Sequence, residues 1–404
     1  MFNKFYLIPG LIIFSFLLRI LTVYFVHDTQ FAYEWDVLFN NLIKYNSYSF
    51  FTFNEQLMPS TYMPPMYAFF LYFIAVITSL ESNNLLYSIF FVQIVLSTYS
   101  VYIFYELNQF FFSKRLSLIN SLIFSIIPLN IYICGQISSV NIQLFFSLIF
   151  LKFIFQIIKN QTQKNIIIFS IISGLLILTR GEFLIIFVLT LIFVFLKKKI
   201  NISNLIKIIL IVSLVISPYV IRNFIHFNKV IIVKSVGYNL WKGNNKLSKV
   251  QGHEIFEIAE FKDLHNKVNN IKRNKYYEIN RDNIFLEEAI NNLQTNPIKY
   301  AKLFFKKLFA FYFINLESTY PNYYNFFHIF PIILLSILSI PGLLEIFRTN
   351  RVENKFLGLY FFSNIIIFSI FFILPRFKII ILPIQIILVG YTLKYIINKI
   401  YNAR

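Results

Sequence analysis

Carboxylates gather in one stretch near the N-terminus, residues 27–66. Four of them, Asp28, Glu34, Asp36 and Glu55, fall in a part of the chain that is otherwise mostly Ile, Leu, Phe and Tyr. Carboxylates at an apolar membrane surface cost free energy, so the stretch is a candidate site. The alternative is a solvated loop whose acids only keep it in water.

Four arginines could supply the complementary charge: Arg19 inside the first apolar segment, and Arg180, Arg222 and Arg376 at the ends of later ones. Guanidinium groups in a medium of low dielectric bind phosphate. A carboxylate beside them can act as general base for an incoming hydroxyl or amine. Together they suit group transfer from a lipid-linked phosphate. As alternatives, Arg19 can snorkel to the outer headgroups, and Arg180 can close a turn by pairing with Glu182.

The composition is that of an integral membrane protein. The chain has 404 residues, of which 57% are hydrophobic and 14% charged, and its mean hydropathy is +0.66. The net charge of +19 is explained by basic cytoplasmic loops, so it does not indicate nucleic acid. The single cysteine, Cys134, rules out an intramolecular disulfide. The N-terminal apolar run reaches Val26 without a cleavage site and is predicted to stay as a signal anchor.

Basic loops decide the predicted topology. If residues 63–80 crossed the membrane, the basic segments 113–115, 159–164 and 197–199 would all lie outside. If 63–80 lies in the interface instead, these segments are all cytoplasmic, as the positive-inside rule requires. Residues 27–84 are therefore predicted to form one net acidic outer loop that contains a buried or interfacial helix.

The resulting prediction is an all-α polytopic membrane protein of about ten spans, with both ends in the cytoplasm. Residues 1–222 would form a transmembrane catalytic module, 223–325 a small mixed extracytoplasmic region, and 326–404 the C-terminal transmembrane helices. The spans are predicted at about residues 5–26, 85–110, 116–134, 139–158, 166–196 (two short helices), 204–221, 329–347, 356–374 and 379–397.

Local patterns place the candidate residues on elements. Between Glu34 and Lys44, apolar residues recur at helical spacing, which predicts a short helix lying apolar side down on the membrane. Glu34 would lie near the positive N-terminal end of that helix, and Asp36 at the water boundary. The TRGE turn at 179–182 is predicted to break 166–196 into two helices near the outer face. After residue 223 we expect short strands and turns, a helix over 254–294, and then a basic amphipathic helix on the membrane surface.

Segments spread over nearly the whole chain resemble the GT-C superfamily of polyprenyl-phosphate-sugar-dependent glycosyltransferases, specifically family 39. Its relatives include protein O-mannosyltransferases and lipid A aminoarabinose transferases. The segments are LLRILTVYF around Arg19, YEWDVLFNNLI, YMPPMYAFFLYF, LLILTRGEFLIIF, the most specific block PYVIRNFIHFNKVIIVKSVGYNLWKGNN, and LPRFKIIILPIQIILVGY.

The resemblance implies a catalytic acid in the first outer loop, where Glu34 precedes an aromatic residue and Asp36 lies close by. This chain has YEWD where the family commonly has an adjacent Asp-Glu pair, so the base is either Glu34 or Asp36. The family's arginine in the first span corresponds to Arg19. Asn141 stands where many relatives carry Glu, and Tyr62 and Met63 precede the double proline.

The sequence hypothesis is an inverting-type glycosyltransferase of the plasma (inner) membrane. It would pass a hexosyl or pentosyl group from a polyprenyl-phosphate donor to an extracytoplasmic acceptor, with Glu34 or Asp36 as base. The donor phosphate would be held by Arg19, Arg180, Arg222 and Arg376. Five scattered histidines offer no metal spacing, so whether a divalent cation assists stays open. The alternatives are a transporter or flippase of lipid-linked glycans, and a membrane scaffold for cell-envelope assembly.

Overall fold

Helices account for most of the fold in the computed structural model, which describes residues 7–31, 33–78, 82–318 and 325–402. An antiparallel hairpin of β1 (Ser49–Phe53) and β2 (Gln56–Pro59) lies in the first outer loop. The helices are α1 (Leu7–Phe25), α2 (Tyr33–Tyr45), α3 (Met66–Thr78), α4 (Ser82–Asn108), α5 (Lys114–Ile126), α6 (Pro128–Tyr132), α7 (Val140–Lys159), α8 (Gln163–Thr179), α9 (Phe183–Leu196), α10 (Ile202–Phe227), α11 (Val236–Gly243), α12 (Lys262–Asn269), α13 (Tyr277–Thr295), α14 (Pro297–Tyr312), α15 (Phe326–Arg348), α16 (Val352–Ile370) and α17 (Leu382–Asn402).

Five helices of the described residues are long and apolar enough to cross a membrane: α1, α4, α7, α10 and α15. A sixth span results if α5 and residues 128–135, which meet at 62°, are counted as one. Pro128 begins α6 at this bend, because proline fits the first turn of a helix but cannot continue one. The expected all-α membrane architecture is confirmed, whereas the count of about ten spans is not.

The turn predicted to divide residues 166–196 is present. Helix α8 ends at Thr179 and α9 begins at Phe183, so Arg180, Gly181 and Glu182 form the turn between them. Helix α10 is longer than the predicted span and continues through Pro218 to Phe227, which places Arg222 inside a helix.

The predicted helix of the first outer loop is also present as α2, but its apolar face has a different environment. Leu38 is 0% exposed, and the Trp35 ring packs edge-on against Tyr67 of α3, with 4.8 Å between centroids. The apolar face is therefore covered by protein and does not lie on lipid. Helix α3 is roughly 20 Å long, which is shorter than a ~30 Å hydrocarbon core. The predicted interfacial segment was 63–80, and residues 79–81 lie outside the described residues.

The region after α10 is helical, contrary to the prediction of strands. Residues 229–235 form a loop with bends and no strand, and the glycine-containing segment that follows forms α11. A small separate core joins α11, α12 and α13 around Trp241, which is fully buried and packs on Phe285. The alternating pattern of 229–235 therefore does not correspond to a strand in the structure.

Helices α11 and α13 approach closely at Gly237, which yields a stability prediction. A Cβ at this position would lie 2.1 Å from the backbone oxygen of Asp282. We expect Gly237→Ala to lower the free energy of unfolding by about 1–3 kcal/mol, because neither backbone can move away without disturbing this core. Thermal unfolding followed by tryptophan fluorescence measures the change.

Gly10→Ala is the matched control, since Gly10 lies in helix α1 and a Cβ added there would have no other atom within 4 Å. Alanine at this position should leave stability unchanged or raise it slightly. Equal midpoints for both variants would show that α11 and α13 do not pack as described.

Candidate active site at the first outer loop

The backbone of residues 60–62 is held from three sides. Arg222 of α10 donates from Nη1 to the Ser60 oxygen at 2.7 Å. The Thr61 N–H donates to Oε2 of Glu278 in α13, also at 2.7 Å. The Lys234 N–H donates to the Thr61 oxygen at 2.7 Å. Because these partners come from distant parts of the chain, the loop is fixed to both α10 and α13.

Glu34 and Asp36 face different surroundings. Residues two apart on a helix point in different directions, so the two carboxylates cannot share one partner. Asp36 accepts a hydrogen bond from Nδ2 of Asn40, one turn further along α2, at 2.8 Å. Glu34 instead lies within electrostatic range of the hydroxyls of Tyr62 and Tyr238.

Arg281 of α13 lies at the same two hydroxyls. Burial raises the pKa of Tyr62 well above its ordinary value; Tyr238 and Glu34 raise it further, whereas Arg281 lowers it and interacts with its hydroxyl by hydrogen bonding. Burial likewise raises the pKa of Tyr238 to about 12, with Arg281 opposing the shift. Glu34 and Arg281 are therefore opposite charges flanking one pair of phenols.

Arg180 and Arg376 are brought together on one aromatic ring. Their guanidinium carbons lie 4.9 Å and 6.0 Å from the centroid of Phe377. Nε of Arg180 donates to Oε1 of Glu182 at 2.8 Å. This leaves the terminal nitrogens of Arg180 without a protein acceptor among the described residues. Two half-buried guanidinium groups with one carboxylate form a place where an anion is stabilised.

The turn that carries Arg180 lies next to the first outer loop. A Cβ on Gly181 would be 2.6 Å from Cγ1 of Val233, and the N–H of the following residue, Lys234, is bound to Thr61. The turn that carries Arg180 and the outer-loop segment that carries Tyr62 are thus connected through Val233 and Lys234.

Arg19 and Arg222 do not join that pair. Arg19 is 0% exposed and donates to Ser97 Oγ at 2.7 Å, to Ser15, and to the Ser125 oxygen at 3.4 Å. Arg222 is occupied by backbone oxygens of the outer loop. Both are placed among helices and loop, and their assignment to the donor phosphate stays a prediction.

The remaining polar residues noted in the sequence have structural partners or lie in water. Asp28 accepts from the Ile137 N–H at 2.7 Å, which ties the end of α1 to the turn after α6. Asn141 is fully buried and donates to the Gln93 oxygen at 2.9 Å. Glu55 is exposed at the tip of the β-hairpin. In the described parts of the chain, no three His, Cys, Asp or Glu side chains are grouped so as to hold a metal.

The sequence analysis missed one face of α13. Glu278, Arg281, Asp282 and Phe285 follow the spacing i, i+3, i+4, i+7, which puts them on one side of the helix. Glu278 and Asp282 are 5% and 3% exposed. Charged residues and a phenylalanine at this spacing were a usable signal that this face of α13 is buried. A solvated helix has no need of an apolar residue on its charged face.

Comparison with known proteins agrees with this architecture. Residues 63–221 match the family described as dolichyl-phosphate-mannose-protein mannosyltransferase. No curated protein sequence matches the chain. The archaeal oligosaccharyltransferase AglB from Archaeoglobus fulgidus, in complex with an inhibitory peptide and a dolichol-phosphate, superposes with a TM-score of 0.60 at 13% identity, over 100% of this chain and 52% of that one.

Two further structures of the Archaeoglobus fulgidus oligosaccharyltransferase are similar. The form tethered to an acceptor peptide with the NVT sequon gives a TM-score of 0.59 at 13% identity, over 99% of this chain and 51% of that one. The apo form gives 0.58 at 13% identity, over 100% and 52%. The chain spans about half the length of these structures. Its fold is that of the GT-C superfamily of membrane glycosyltransferases, as the sequence resemblance predicted. Within that class, its central part matches the mannosyltransferase family named above.

The carboxyl group of Glu278 generates a pH prediction. Its burial raises its pKa, and the bonds from Thr61 only partly oppose this. A carboxyl with a raised folded-state pKa binds its proton more tightly when folded, so its stabilising effect is lost as the pH rises from the ordinary carboxyl pKa through the raised one. The free energy of unfolding of the wild type should therefore fall with pH across this window, by at most about 1.4 kcal/mol per pH unit.

Glu278→Gln keeps an oxygen acceptor for the Thr61 N–H and removes the ionisation, so this part of the pH dependence should disappear. Glu287→Gln, on the exposed side of the same helix, is the control and should follow the wild type. Unfolding is measured at a series of pH values, and parallel curves for the wild type and Glu278→Gln would contradict the assignment.

Proposed function

We propose that the protein is a membrane glycosyltransferase that transfers a sugar from a polyprenyl-phosphate donor to an acceptor on the extracytoplasmic side. The main support for the proposal is that, within a GT-C fold, residues 60–62 of the outer loop connect Glu34 with the Arg180–Arg376 pair. The dolichol-phosphate bound in the AglB structure supports a lipid phosphate as donor. The acceptor is a lipid, glycan or protein, and the donor sugar a hexose or pentose.

The proposed step is a displacement at the anomeric carbon. The acceptor oxygen attacks this carbon from the face opposite the phosphate, and its proton passes to a carboxylate acting as general base. The bond between the anomeric carbon and the phosphate oxygen breaks, and its electron pair leaves with the polyprenyl phosphate. Cations at the departing oxygen stabilise the charge that develops there.

Glu34 is the better candidate for the base. It lies within electrostatic range of Tyr62 and Tyr238, and no hydrogen bond to another described residue occupies its carboxylate. Asp36 is held by Asn40 on another face of α2. Asp36 is kept as the second candidate, because the sequence pattern alone does not choose between them.

Arg180 and Arg376 are the better candidates for holding the departing phosphate. They share the Phe377 ring, and an anion between them would relieve the repulsion of two neighbouring cations. Arg19 and Arg222 are proposed to act through the scaffold that positions the outer loop. We further propose that the site faces the outside of the plasma (inner) membrane, since the basic loops are then cytoplasmic.

The base assignment predicts unequal effects of two conservative variants. Glu34→Gln should lower kcat for transfer by about 10²- to 10⁴-fold, the usual contribution of a general base. Asp36→Asn should stay within roughly tenfold of the wild type, because it risks only one hydrogen bond of about 1 kcal/mol. Release of polyprenyl phosphate from a polyprenyl-phosphate sugar, with membrane extracts as acceptor, measures the rate.

Full activity in both variants would remove both carboxylates from the chemistry. If the wild type releases no polyprenyl phosphate with any donor or acceptor pool, the enzyme proposal fails. Vesicle-to-vesicle movement of a lipid-linked glycan by the same preparation would then favour a flippase.

The phosphate assignment predicts a donor-specific defect. Arg180→Gln and Arg376→Gln should each raise KM for the donor by about 10- to 100-fold, corresponding to a lost charge-assisted hydrogen bond. Arg115→Gln is the control, because Arg115 is exposed in the first turn of α5, on the predicted cytoplasmic side. An unchanged donor KM in both site variants would reassign the phosphate to other cations.

A further inference from the structure

Arg281 is held in a box of aromatic rings. Its guanidinium carbon lies 4.9 Å from the centroid of Tyr238 and 5.1 Å from that of Phe285. Phe256 and Phe51 follow at 5.8 Å and 6.0 Å. Cations are attracted to the faces of aromatic rings, so four rings restrict where this side chain can go.

The Arg281 guanidinium has N–H donors that its neighbours in the described chain do not use. No carboxylate of the described residues lies within 4.0 Å of Arg281, which interacts with the Tyr62 hydroxyl. A guanidinium carries five N–H donors arranged as a fork that matches two oxygens of one anion, so an interaction with one hydroxyl leaves donors for such an anion. A half-buried guanidinium that pairs with no carboxylate and interacts with a single hydroxyl keeps donors that can bind an oxyanion.

The position of Arg281 points to the acceptor and not to the donor. It acts on the same two phenols as Glu34, the proposed base. The Arg180–Arg376 pair lies near the other end of α11, where Gly243 contacts the backbone of Phe371. The side chain comes from α13 in the extracytoplasmic region, from which an acceptor would approach.

We propose that Arg281 binds an oxyanion of the acceptor, a carboxylate or a phosphate, and so makes the enzyme specific for acidic acceptors such as a uronic acid or a polyol phosphate. The inference rests on the proposed function. The extracytoplasmic region supports it electrostatically: residues 223–318 contain fifteen Lys and Arg against nine Asp and Glu, an excess of six positive charges. An excess of this sign raises the local concentration of anions and speeds their association.

Binding of small probes tests the proposal without any transfer assay. Both tryptophans of the chain border the site: Trp35 follows Glu34 in α2, and Trp241 packs on Tyr238 and Phe285. Tryptophan emission of the full-length protein in detergent is titrated with glucuronate and glycerol 3-phosphate, and with the neutral counterparts glucose and glycerol. Undecaprenyl phosphate is titrated separately as the lipid of the donor.

We expect the two anionic probes to bind the wild type more tightly than the neutral ones. Arg281→Gln should raise their Kd at least about tenfold, and Arg281→Lys by less, because lysine keeps the charge but not the fork. Arg273→Gln is the matched control, an exposed arginine near Phe53 in the same region, and its Kd values should be those of the wild type. Binding of undecaprenyl phosphate should be unchanged in all three.

Three outcomes would overturn the proposal: anionic probes that bind Arg281→Gln as tightly as the wild type, a wild type that prefers no anionic probe, or a loss confined to undecaprenyl phosphate. The last would make Arg281 a donor residue. If the variants do not fold, the wild type alone tests the proposal. Glucuronate should slow the modification of Arg281 by phenylglyoxal, but not that of Arg273, as measured by mass spectrometry. Equal effects on the two arginines would count against the proposal. Since no step requires turnover, failure of the proposed transfer and failure of this inference are distinguishable.

Discussion

The fixing of residues 60–62 is the constraint on which the site depends. Buried backbone groups must find partners, and here the partners are two charged side chains and one backbone N–H. Hydrogen bonds to charged groups are the stronger kind, so Arg222 and Glu278 join α10 and α13 to the outer loop more firmly than neutral contacts would. Tyr62, at the end of this segment, is thereby placed where both Glu34 and Arg281 act on its hydroxyl electrostatically.

Helix α11 relates the two halves of the site. Its first turn carries Tyr238, beside Arg281. At its end, Nζ of Lys307 donates to the Gly243 oxygen at 2.8 Å and to the Phe371 oxygen. An ammonium group there satisfies carbonyls that two helix ends leave unpaired. The segment after Phe371 leads to Arg376, so one short helix sets the spacing between the proposed acceptor and donor sides. This arrangement requires Lys307 to be buried, and the burial lowers the pKa of its ammonium group to about 7.

The sequence predicted those features of the fold that short local patterns determine. The spacing of Trp35, Leu38 and Phe39 identified α2, and Arg180 with Gly181 identified the break between α8 and α9. The contact between Thr61 and Glu278 joins residues 217 positions apart, and no local pattern encodes it. The same limit explains the error after residue 229. Alternation indicates an extended backbone, but whether that backbone pairs into a sheet depends on a partner strand elsewhere.

Arg19 is a buried charge that joins three helices of the bundle. Removing a guanidinium from water costs several kcal/mol unless hydrogen bonds replace the lost hydration. Serines of α1 and α4 and a carbonyl of α5 supply such bonds to Nε and Nη1, so the three helices are held together where the charge is buried, whereas Nη2 has no hydrogen-bond partner among the described residues. Helix α1 ends just before Asp28, whose carboxylate binds the Ile137 N–H. The first outer loop starts from that anchored point, and the direction in which it leaves the membrane decides where α2 can present Glu34.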